Sequence, residues 1–597
     1  MASVAGTNMS MENEAMRGPV MPSGSERHGR SASALPVYVI VPIAVAATIR
    51  FIVLFQTSSV PSTLHPIGDA KAYLQWADRI AAGDWIGSEA FYQAPLYPYV
   101  LASIRTVLGN ATFAIRLVQI IWSIVGLLLL AMAVRRLFGK REATLAAMFL
   151  ALYAPAIFFD IIIQKTSLAS LLVGAVLYSV ARYSVSATAV TSFATGLTSG
   201  LLTLTRENAL VWVPLIILWL AIQSTSQPLT RRKSRLVLSL IAFIGGLLMT
   251  IGIVSVRNRI VAGTWSFSTY QSGSNFYIGN SKAANGRYVP LVPGHETPAH
   301  EREDAVRLAE AAAGRTLNPR EVSRYWHSRA WSEIGEDPAR WVRLLGVKLA
   351  MTFRAHEVAD AESLYVHAAY SPVLRVVSRA WHFGVLCPLA VVGLWSTRGQ
   401  WRRLWILYAM IASMAASIAL FYVMARYRFP LVLLLLPFAA AGCVSAWDAF
   451  RRRQWGEIII FAMIGGVSAL GVNAPVHDEE KLIALSWMNM GVALAEQGEL
   501  EEAVAVFGRA VEQAPTSAEA NYNLATTLAV RGDFVRAITY YERAVLAQPS
   551  LPNLHYNYAV ALEQIGRAGD AIKHFRAALQ ADPNDAEAGA ALRRLGG

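Results

Sequence analysis

From Leu35 to about residue 472 the chain alternates long apolar runs with short basic or polar segments. A run of about 18 or more apolar residues is long enough to span a bilayer core. The first runs from about Leu35 to Phe55, followed by a polar, aromatic stretch over 57–110. The next ends at Arg135, Arg136, Lys140 and Arg141, the third near Asp160, and the fourth goes from about Ser167 to Arg182. Two more flank the segment TRENA (205–209), and the second of them reaches Arg231, Arg232, Lys233 and Arg235. A seventh covers 236–256. The polar stretch 257–380 is too long for a plain connection and predicts a folded outer domain. Within it, the apolar core of 341–353 is too short to span and has Lys348 at its centre, which predicts a helix lying at the interface. Three later runs have basic ends at Arg398–Arg403 and Arg451–Arg453, and a last one covers about 457–472. This reading predicts about eleven spans with every basic cluster on one side.

From residue 487 the pattern changes to a 34-residue period. Gly498, Gly532 and Gly566 are in step, as are Ala503, Ala537 and Ala571. The aromatic set Phe507, Tyr541 and Phe575 follows, then Ala510, Ala544 and Ala578, then Pro515, Pro549 and Pro583. Small residues let paired helices approach, the glycine breaks the chain between them, and three units bury a core that one could not. The pattern resembles the tetratricopeptide repeat (TPR) at each of these positions. Asn489, Asn523 and Asn557 share the period and so one helix face. Such amides suit an extended peptide backbone; local hydrogen bonding is the alternative.

Composition narrows the class. The 597 residues are 55% hydrophobic and 16% charged, below the ~25% charged of soluble domains. The net charge of +13 is spread as short clusters between apolar runs, which argues for cytoplasmic loops and against nucleic-acid binding. Arg17, Arg27 and Arg30 precede the first run and put the N-terminus in the cytoplasm; an odd span count puts the repeats outside. Residues 1–34, rich in Ser, Gly, Met and charge, are predicted to be disordered, and the first run is too long for a cleaved signal peptide. The two cysteines, Cys387 and Cys443, lie inside apolar runs and offer neither a disulfide framework nor zinc spacing.

No P-loop, HExxH or Ser-His-Asp pattern stands in the membrane part. Its candidate chemistry is acidic residues at outer span ends: Asp69, Asp78, Asp84 and Glu89 in the first loop, and Asp160 after the third span. Tyr73, Trp76 and Ile80 follow Asp69 at helical spacing and predict a helix over 70–81 packed on the membrane surface. A carboxylate held against apolar surroundings gains basicity and suits a general base, while a helix N-cap is the structural alternative for Asp69.

The loop 65–104 resembles the first outer loop of the GT-C glycosyltransferases, in the branch of protein O-mannosyltransferases and lipid A aminoarabinose transferases. The resemblance is carried by Asp69 just after the first span, then Gly83, Asp84 and Trp85, then Pro95, Leu96, Tyr97 and Pro98. It continues through FFDIIIQKTSLASLL (158–172), TRENAL (205–210), NFYIGN (275–280) with Gly286 and Tyr288, and ARYRFPL (425–431). Two departures stand out: Ala70 where many relatives carry a Glu after the Asp, and Gln164 and Lys165 where many carry a Glu.

The resemblance implies an all-α architecture: a polytopic transmembrane GT-C-like domain of about eleven spans, then an α-solenoid of TPR units. The parts are a cytoplasmic N-terminus (1–34), a transmembrane core (35–256) with first outer loop 57–110, an outer domain (257–380), C-terminal spans (381–472) and repeats (482–597). The implied activity is inverting transfer of a sugar from a polyprenyl-phosphate donor to an extracytoplasmic protein, lipid or glycan, in a bacterial inner membrane. Asp69 is the expected base, with Asp160 assisting. Lys165, Arg206, Arg426 and Arg428 are the expected donor-phosphate ligands; His356, Glu357, Asn275 and Tyr277 are expected at acceptor or sugar. No cofactor is required by these motifs, and a divalent cation, Mg or Mn, is the one candidate. The membrane lipid and a protein held by the repeats are the expected partners. Two rival readings remain at this level: an O-antigen ligase-like oligosaccharyltransferase working through a late outer loop, and a membrane-anchored TPR scaffold without activity.

Overall fold

A computed structural model of the chain describes residues 37–225, 229–263, 265, 266, 269–292, 298–475, 479–551 and 553–596. The disordered segment expected over 1–34 lies outside these residues, as do the side chains of Arg231 and Arg232. The described elements are helices throughout.

Helix α1 (Val37–Gln56) is followed by α2 (Pro61–Leu64), α3 (Gly68–Ala81) and α4 (Leu96–Leu108). Next come α5 (Thr112–Leu137), α6 (Lys140–Leu152), α7 (Ala154–Ile161), α8 (Thr166–Val185) and α9 (Ala189–Thr203). A short 3-10 turn (Glu207–Val211) leads into α10 (Trp212–Thr225), then α11 (Leu229–Ala262). The middle section holds α12 (Ser272–Asn280), α13 (Pro298–Ala313), α14 (Pro319–Glu336) and α15 (Pro338–Thr352). After it come α16 (Leu364–Tyr370), α17 (Pro372–Ala380), α18 (Phe383–Ser396), α19 (Trp401–Leu420), α20 (Ala425–Arg451) and α21 (Trp455–Val472).

Eight helices are long and apolar enough to cross a membrane, and nine if the pair α6 and α7, bent by 54°, counts as one span. The protein is therefore an integral membrane protein, but the expected count of about eleven is not reproduced. The two runs beside TRENA explain the difference. They fold as α9, of 15 residues, and α10, of 14 residues. At 1.5 Å per residue each reaches only ~20 Å, short of the ~30 Å hydrocarbon core. The stretch 257–380 is also shared out differently: α11 continues to Ala262, and a spanning segment already begins at Pro372. Segment 341–353 lies in α15, which is not among the candidate spans.

Packing between the long helices depends on small residues, as in membranes generally. Where α9 meets α11, a Cβ on Gly196 would fall 1.9 Å from the Phe243 carbonyl oxygen, and one on Gly246 would fall 2.2 Å from that of Phe193. Any side chain at either position would push the two backbones apart.

The repeats are α22 (Glu479–Glu496) with α23 (Leu500–Gln513), α24 (Ala518–Val530) with α25 (Phe534–Ala547), and α26 (Leu554–Gln564) with α27 (Ala568–Ala581), closed by α28 (Ala586–Leu595). The periodic alanines and aromatics form their core: Ala503, Ala537, Ala571 and Phe575 are fully buried, and Phe507 and Tyr541 nearly so. That core does not end at the repeats. Val60, just before α2, and Val366 in α16 are buried in the same cluster. The Trp487 ring lies 6.2 Å from that of Tyr370, and His65 Nδ1 lies 3.0 Å from Gln497 Oε1. The first repeat therefore sits directly on the two segments that lead to the polar site.

Candidate functional site

Helix α3 carries Asp69 in the connection between α1 and α5. The N-cap is Ile67 and makes no side-chain cap bond, so Asp69 stands in the first turn and the N-cap alternative falls away. Gly68 enables this turn. Its φ is +51°, and a Cβ there would meet the Ala361 Cβ at 2.6 Å. Only glycine allows both the left-handed conformation and the contact. That contact sets Asp69 against the loop 353–363.

Arg426, in the first turn of α20, bridges two carboxylates. Its Nη1 pairs with Asp69 Oδ2 and, at 2.5 Å, with Asp360 Oδ2. Gln93 Nε2 donates to Asp69 Oδ1 at 3.4 Å. Burial pushes the Asp69 carboxyl up, but Arg426 and Lys165 outweigh it and hold it below the usual carboxylate value. The raised basicity expected for Asp69 is thus overturned, because a guanidinium faces it. Burial does raise Asp360, with Asp69 adding to the effect and Arg426 only partly opposing it. The environment pushes the pair apart, as in sites that assign different roles to two carboxylates.

Three cations gather here from distant parts of the chain. Lys165 is the N-cap of α8, Arg206 lies in extended backbone after α9, and Arg426 opens α20. Lys165 and Arg206 are almost fully buried. Lys165 faces Glu207, Arg206, Arg426 and Asp69, and burial lowers its ammonium to about 8. Arg206 Nη2 donates to Thr166 Oγ1 at 2.6 Å. Its Nε and Nη1, together with Arg426 Nε and the Tyr73 hydroxyl, are buried without a hydrogen-bond partner among the described residues. Unpaired buried donors are costly unless something fills the place they point to. The N-termini of α8 and α20 add their own positive dipole ends. Arg206 and Arg426 both lie over the Tyr427 ring, at 5.7 and 5.2 Å.

A small, partly open cavity lies beside this cluster. Asp69, Asp360, Glu362, Gln164 and Arg426 form its polar wall; Pro155, Phe158, Phe159, Ile162, Ile163 and Leu364 form its apolar one. On the outer side Glu301 of α13 accepts from Tyr92 at 3.0 Å and from Tyr288 at 3.1 Å. Burial raises its carboxyl, and it faces Asp69 and Arg426.

Other expected site residues go elsewhere. Asp160 pairs with Arg50 at 2.7 Å, both buried, and ties α7 to α1 rather than assisting Asp69. Arg428 pairs with Glu357 at 2.6 Å and donates to the carbonyls of Thr352, Arg354 and His356. Its charge is neutralised, so it is not a free phosphate ligand; it fastens the loop that carries Asp360. Glu357 also lines the cavity, whereas His356 stacks on Tyr365 at 5.1 Å. Asn275 accepts from Tyr422 at 3.1 Å, and Tyr277 donates to Glu333 at 2.9 Å in the packing of α12 on α14. Asn489, Asn523 and Asn557 lie in the repeats, half-buried.

Sequence reasoning missed Asp360, Glu301, Tyr427 and Gln93 as site residues, read Tyr73 only as a packing residue, and gave Glu207 with Arg206 as either functional charges or a mutual structural pair. Asp360 had a signal, being three residues beyond Glu357 in the acidic segment HEVADAE. Glu301 had none, since it lies in a charge-rich outer helix resembling a solvated surface. Among the described residues no group of three or more His, Cys, Asp or Glu could hold a metal ion. The two facing carboxylates share a guanidinium instead, so the donor set does not match the oxygen-rich shell a magnesium or manganese ion takes.

Residues 92–249 match the family model of dolichyl-phosphate-mannose-protein mannosyltransferase. Residues 488–552 and 522–586 match the tetratricopeptide repeat. Among solved structures, the oligosaccharyltransferase of Archaeoglobus fulgidus is 12% identical, with 76% of this chain and 55% of that one covered and a TM-score of 0.42. ArnT from Cupriavidus metallidurans, bound to undecaprenyl phosphate, is 15% identical, with 90% and 80% covered and a TM-score of 0.39. The chain spans about half the length of the archaeal enzyme (55%). Comparison with the curated proteins finds no match. Residues 92–249 are thus similar to the mannosyltransferase family, and the chain joins this helical membrane part to a C-terminal tetratricopeptide-repeat domain.

Proposed function

We propose that the protein transfers a sugar from a polyprenyl-phosphate carrier to an acceptor on the outer face of a bacterial inner membrane, with the N-terminus cytoplasmic and the repeats outside. The observation that carries this reading is the set of buried donors on Arg206 and Arg426 without hydrogen-bond partners among the described residues, with Lys165 and Asp69 facing the same cluster, and Asp69 and Arg426 lining a cavity whose other wall is apolar. The cations Arg426, Arg206 and Lys165 suit a phosphate, the carboxylate-rich wall suits the hydroxyls of a sugar, and the apolar wall suits the first isoprene units. The matching family acts with a dolichyl-phosphate sugar, which has this same amphipathic form.

In this reading the carrier phosphate lies among Lys165, Arg206 and Arg426. Its charge draws Arg426 away from full pairing with Asp69, and Asp69 becomes more basic at the moment it is needed. Asp69 takes the proton of the acceptor hydroxyl or amine. The freed electron pair attacks the anomeric carbon, and the carbon–oxygen bond to the phosphate breaks with its pair going to the carrier. Attack opposite the leaving group inverts the sugar. The growing charge on the phosphate is met by fixed cations, the larger part of the task. The protein's own cations do this work, and no step passes through a metal ion.

The test is transfer of labelled sugar from a panel of polyprenyl-phosphate donors in membranes holding wild type or Asp69→Asn. The reading expects a loss of about 100-fold or more in the variant, at equal protein level. Equal transfer in both would remove Asp69 as the base.

A further inference from the structure

A solenoid of repeats needs cover at both ends, because its first and last helices lack a neighbouring repeat. At the C-terminal end α28 supplies it, with Ala588 and Leu592 buried in the repeat core. At the other end no repeat precedes α22, yet its Trp487 is buried. The cover there comes from the membrane part. Val60 before α2 and Val366 of α16 are buried in the repeat core, and the Tyr370 ring meets that of Trp487 at 6.2 Å. His65, which ends α2, lies 3.0 Å from Gln497 Oε1 through Nδ1 and 3.9 Å from Glu499 Oε1 through Nε2.

These covering segments are the ones that carry the two carboxylates of the site. Helix α2 leads into Gly68 and Asp69, and α16 follows Asp360 and Glu362. They are tied to each other: Glu362 Oε2 accepts from Ser62 Oγ at 2.9 Å and lies 3.3 Å from His367 Nε2. Glu362 and Leu364 also line the cavity of Asp69. The start of the same loop is strapped to the exit of α21, the segment that leads into the first repeat. Ala355 N donates to the Val472 carbonyl at 2.9 Å, and Arg354 Nη1 donates to those of Gly471 and Ala474, each at 3.0 Å. The chain that enters the repeats therefore holds the Asp360 loop at both of its ends.

Arg426 bridges Asp69 and Asp360 only while these two segments keep their spacing. Arg426 itself is set by α20, a long helix packed inside the bundle. The carboxylates ride on connections whose helices are short: α2 has 4 residues and α16 has 7. Such connections open most easily in a fold unless something packs on them. The first repeat packs on both. We infer that this repeat is part of the frame of the site: Trp487 is a positioning residue that holds α2 and α16, and through them Asp69 and Asp360, at the spacing Arg426 bridges. Trp487 does not line the cavity, so its effect on turnover runs through these two segments. The effect on turnover rests on the transferase reading; the frame does not.

Two arms test it on the full-length protein in nanodiscs. The first measures backbone hydrogen exchange over 57–70 and 356–371. Trp487→Ala is expected to raise exchange about tenfold or more in both segments and to leave α5, α8 and α20 unchanged, while Trp487→Phe stays near wild type. Tyr370→Ala breaks the same contact from the membrane side, outside the repeats, and is expected to raise exchange over 57–70 likewise; it decides the matter where Trp487→Ala unfolds the repeats. Wild-type exchange over 57–70 in either folded variant overturns the frame. The second arm measures transfer of labelled sugar from the polyprenyl-phosphate panel. Trp487→Ala is expected to lower kcat about tenfold or more, with the KM for donor and acceptor within about twofold, and Trp487→Phe to recover it. A normal kcat beside raised exchange overturns the positioning role. Absence of transfer by wild type overturns the transferase reading, while the exchange arm still decides the frame.

Discussion

Asp69 and Arg426 lie 357 positions apart and meet in one buried ion pair that Asp360 shares. The pair closes the first outer loop onto the start of a late spanning helix. It also fixes the state of the candidate base: Asp69 is held ionised and weakly basic until something competes for Arg426.

The two carboxylates should respond differently to neutralisation. Asp69→Asn removes the acceptor of the transferred proton and is expected to lower kcat by about 100-fold or more. Asp360→Asn leaves Asp69 and Arg426 paired and is expected to stay within about tenfold of wild type. Rates of both variants at saturating donor make the comparison; the reverse order would make Asp360 the base.

The pH profile should carry the same asymmetry. Asp69 is held below the usual carboxylate value, so it cannot give an acid limb displaced upward from that value. Asp360 and Glu301 are both raised by burial and can. The acid limb of kcat/KM is expected to shift down in Asp360→Asn or Glu301→Gln and to persist in any residual activity of Asp69→Asn.

Arg206 should matter to the donor. Arg206→Gln removes the charge and two of the unpartnered donors, and is expected to raise the KM for the polyprenyl-phosphate sugar by about tenfold or more. A change confined to the acceptor KM would place the phosphate elsewhere.

Asp160 should behave as a structural residue. Asp160→Asn leaves Arg50 buried without its counter-charge, which typically costs about 3–5 kcal/mol. The expected result is a lower melting temperature in detergent with near-normal KM in the protein that remains folded. The double variant Asp160→Leu with Arg50→Met should recover much of the loss.

Lys348 should make stability depend on pH. It is fully buried, bonded to Asn280 at 3.1 Å, and its ammonium is lowered by burial, with Arg340 adding, to about 7. A lysine depressed on folding costs the chain nothing above its ordinary value of about 10.4, and the cost grows as pH falls toward 7 because the unfolded state takes up the proton first. Stability should therefore rise with pH between about 7 and 10, by at most ~1.4 kcal/mol per pH unit. Lys348→Met should flatten that slope and raise the melting temperature at neutral pH.

The sequence by itself determined the repeats residue by residue and the helical membrane class, because both rest on periodicity. Alanine and aromatic positions at 34-residue spacing can pack in only one way, and apolar runs of sufficient length have few places other than lipid. It also singled out Asp69, Lys165, Arg206 and Arg426, since charges are rare in such surroundings. Only the tertiary structure decided which charges meet. Asp160 and Arg428 resemble site residues in one dimension, yet each is neutralised by a partner distant in sequence, Arg50 and Glu357. Asp360 and Glu301 resemble loop and surface residues until α20 and α3 bring Arg426 and Asp69 against them. A carboxylate's basicity depends on the charge a few ångströms away, and local sequence does not carry that distance.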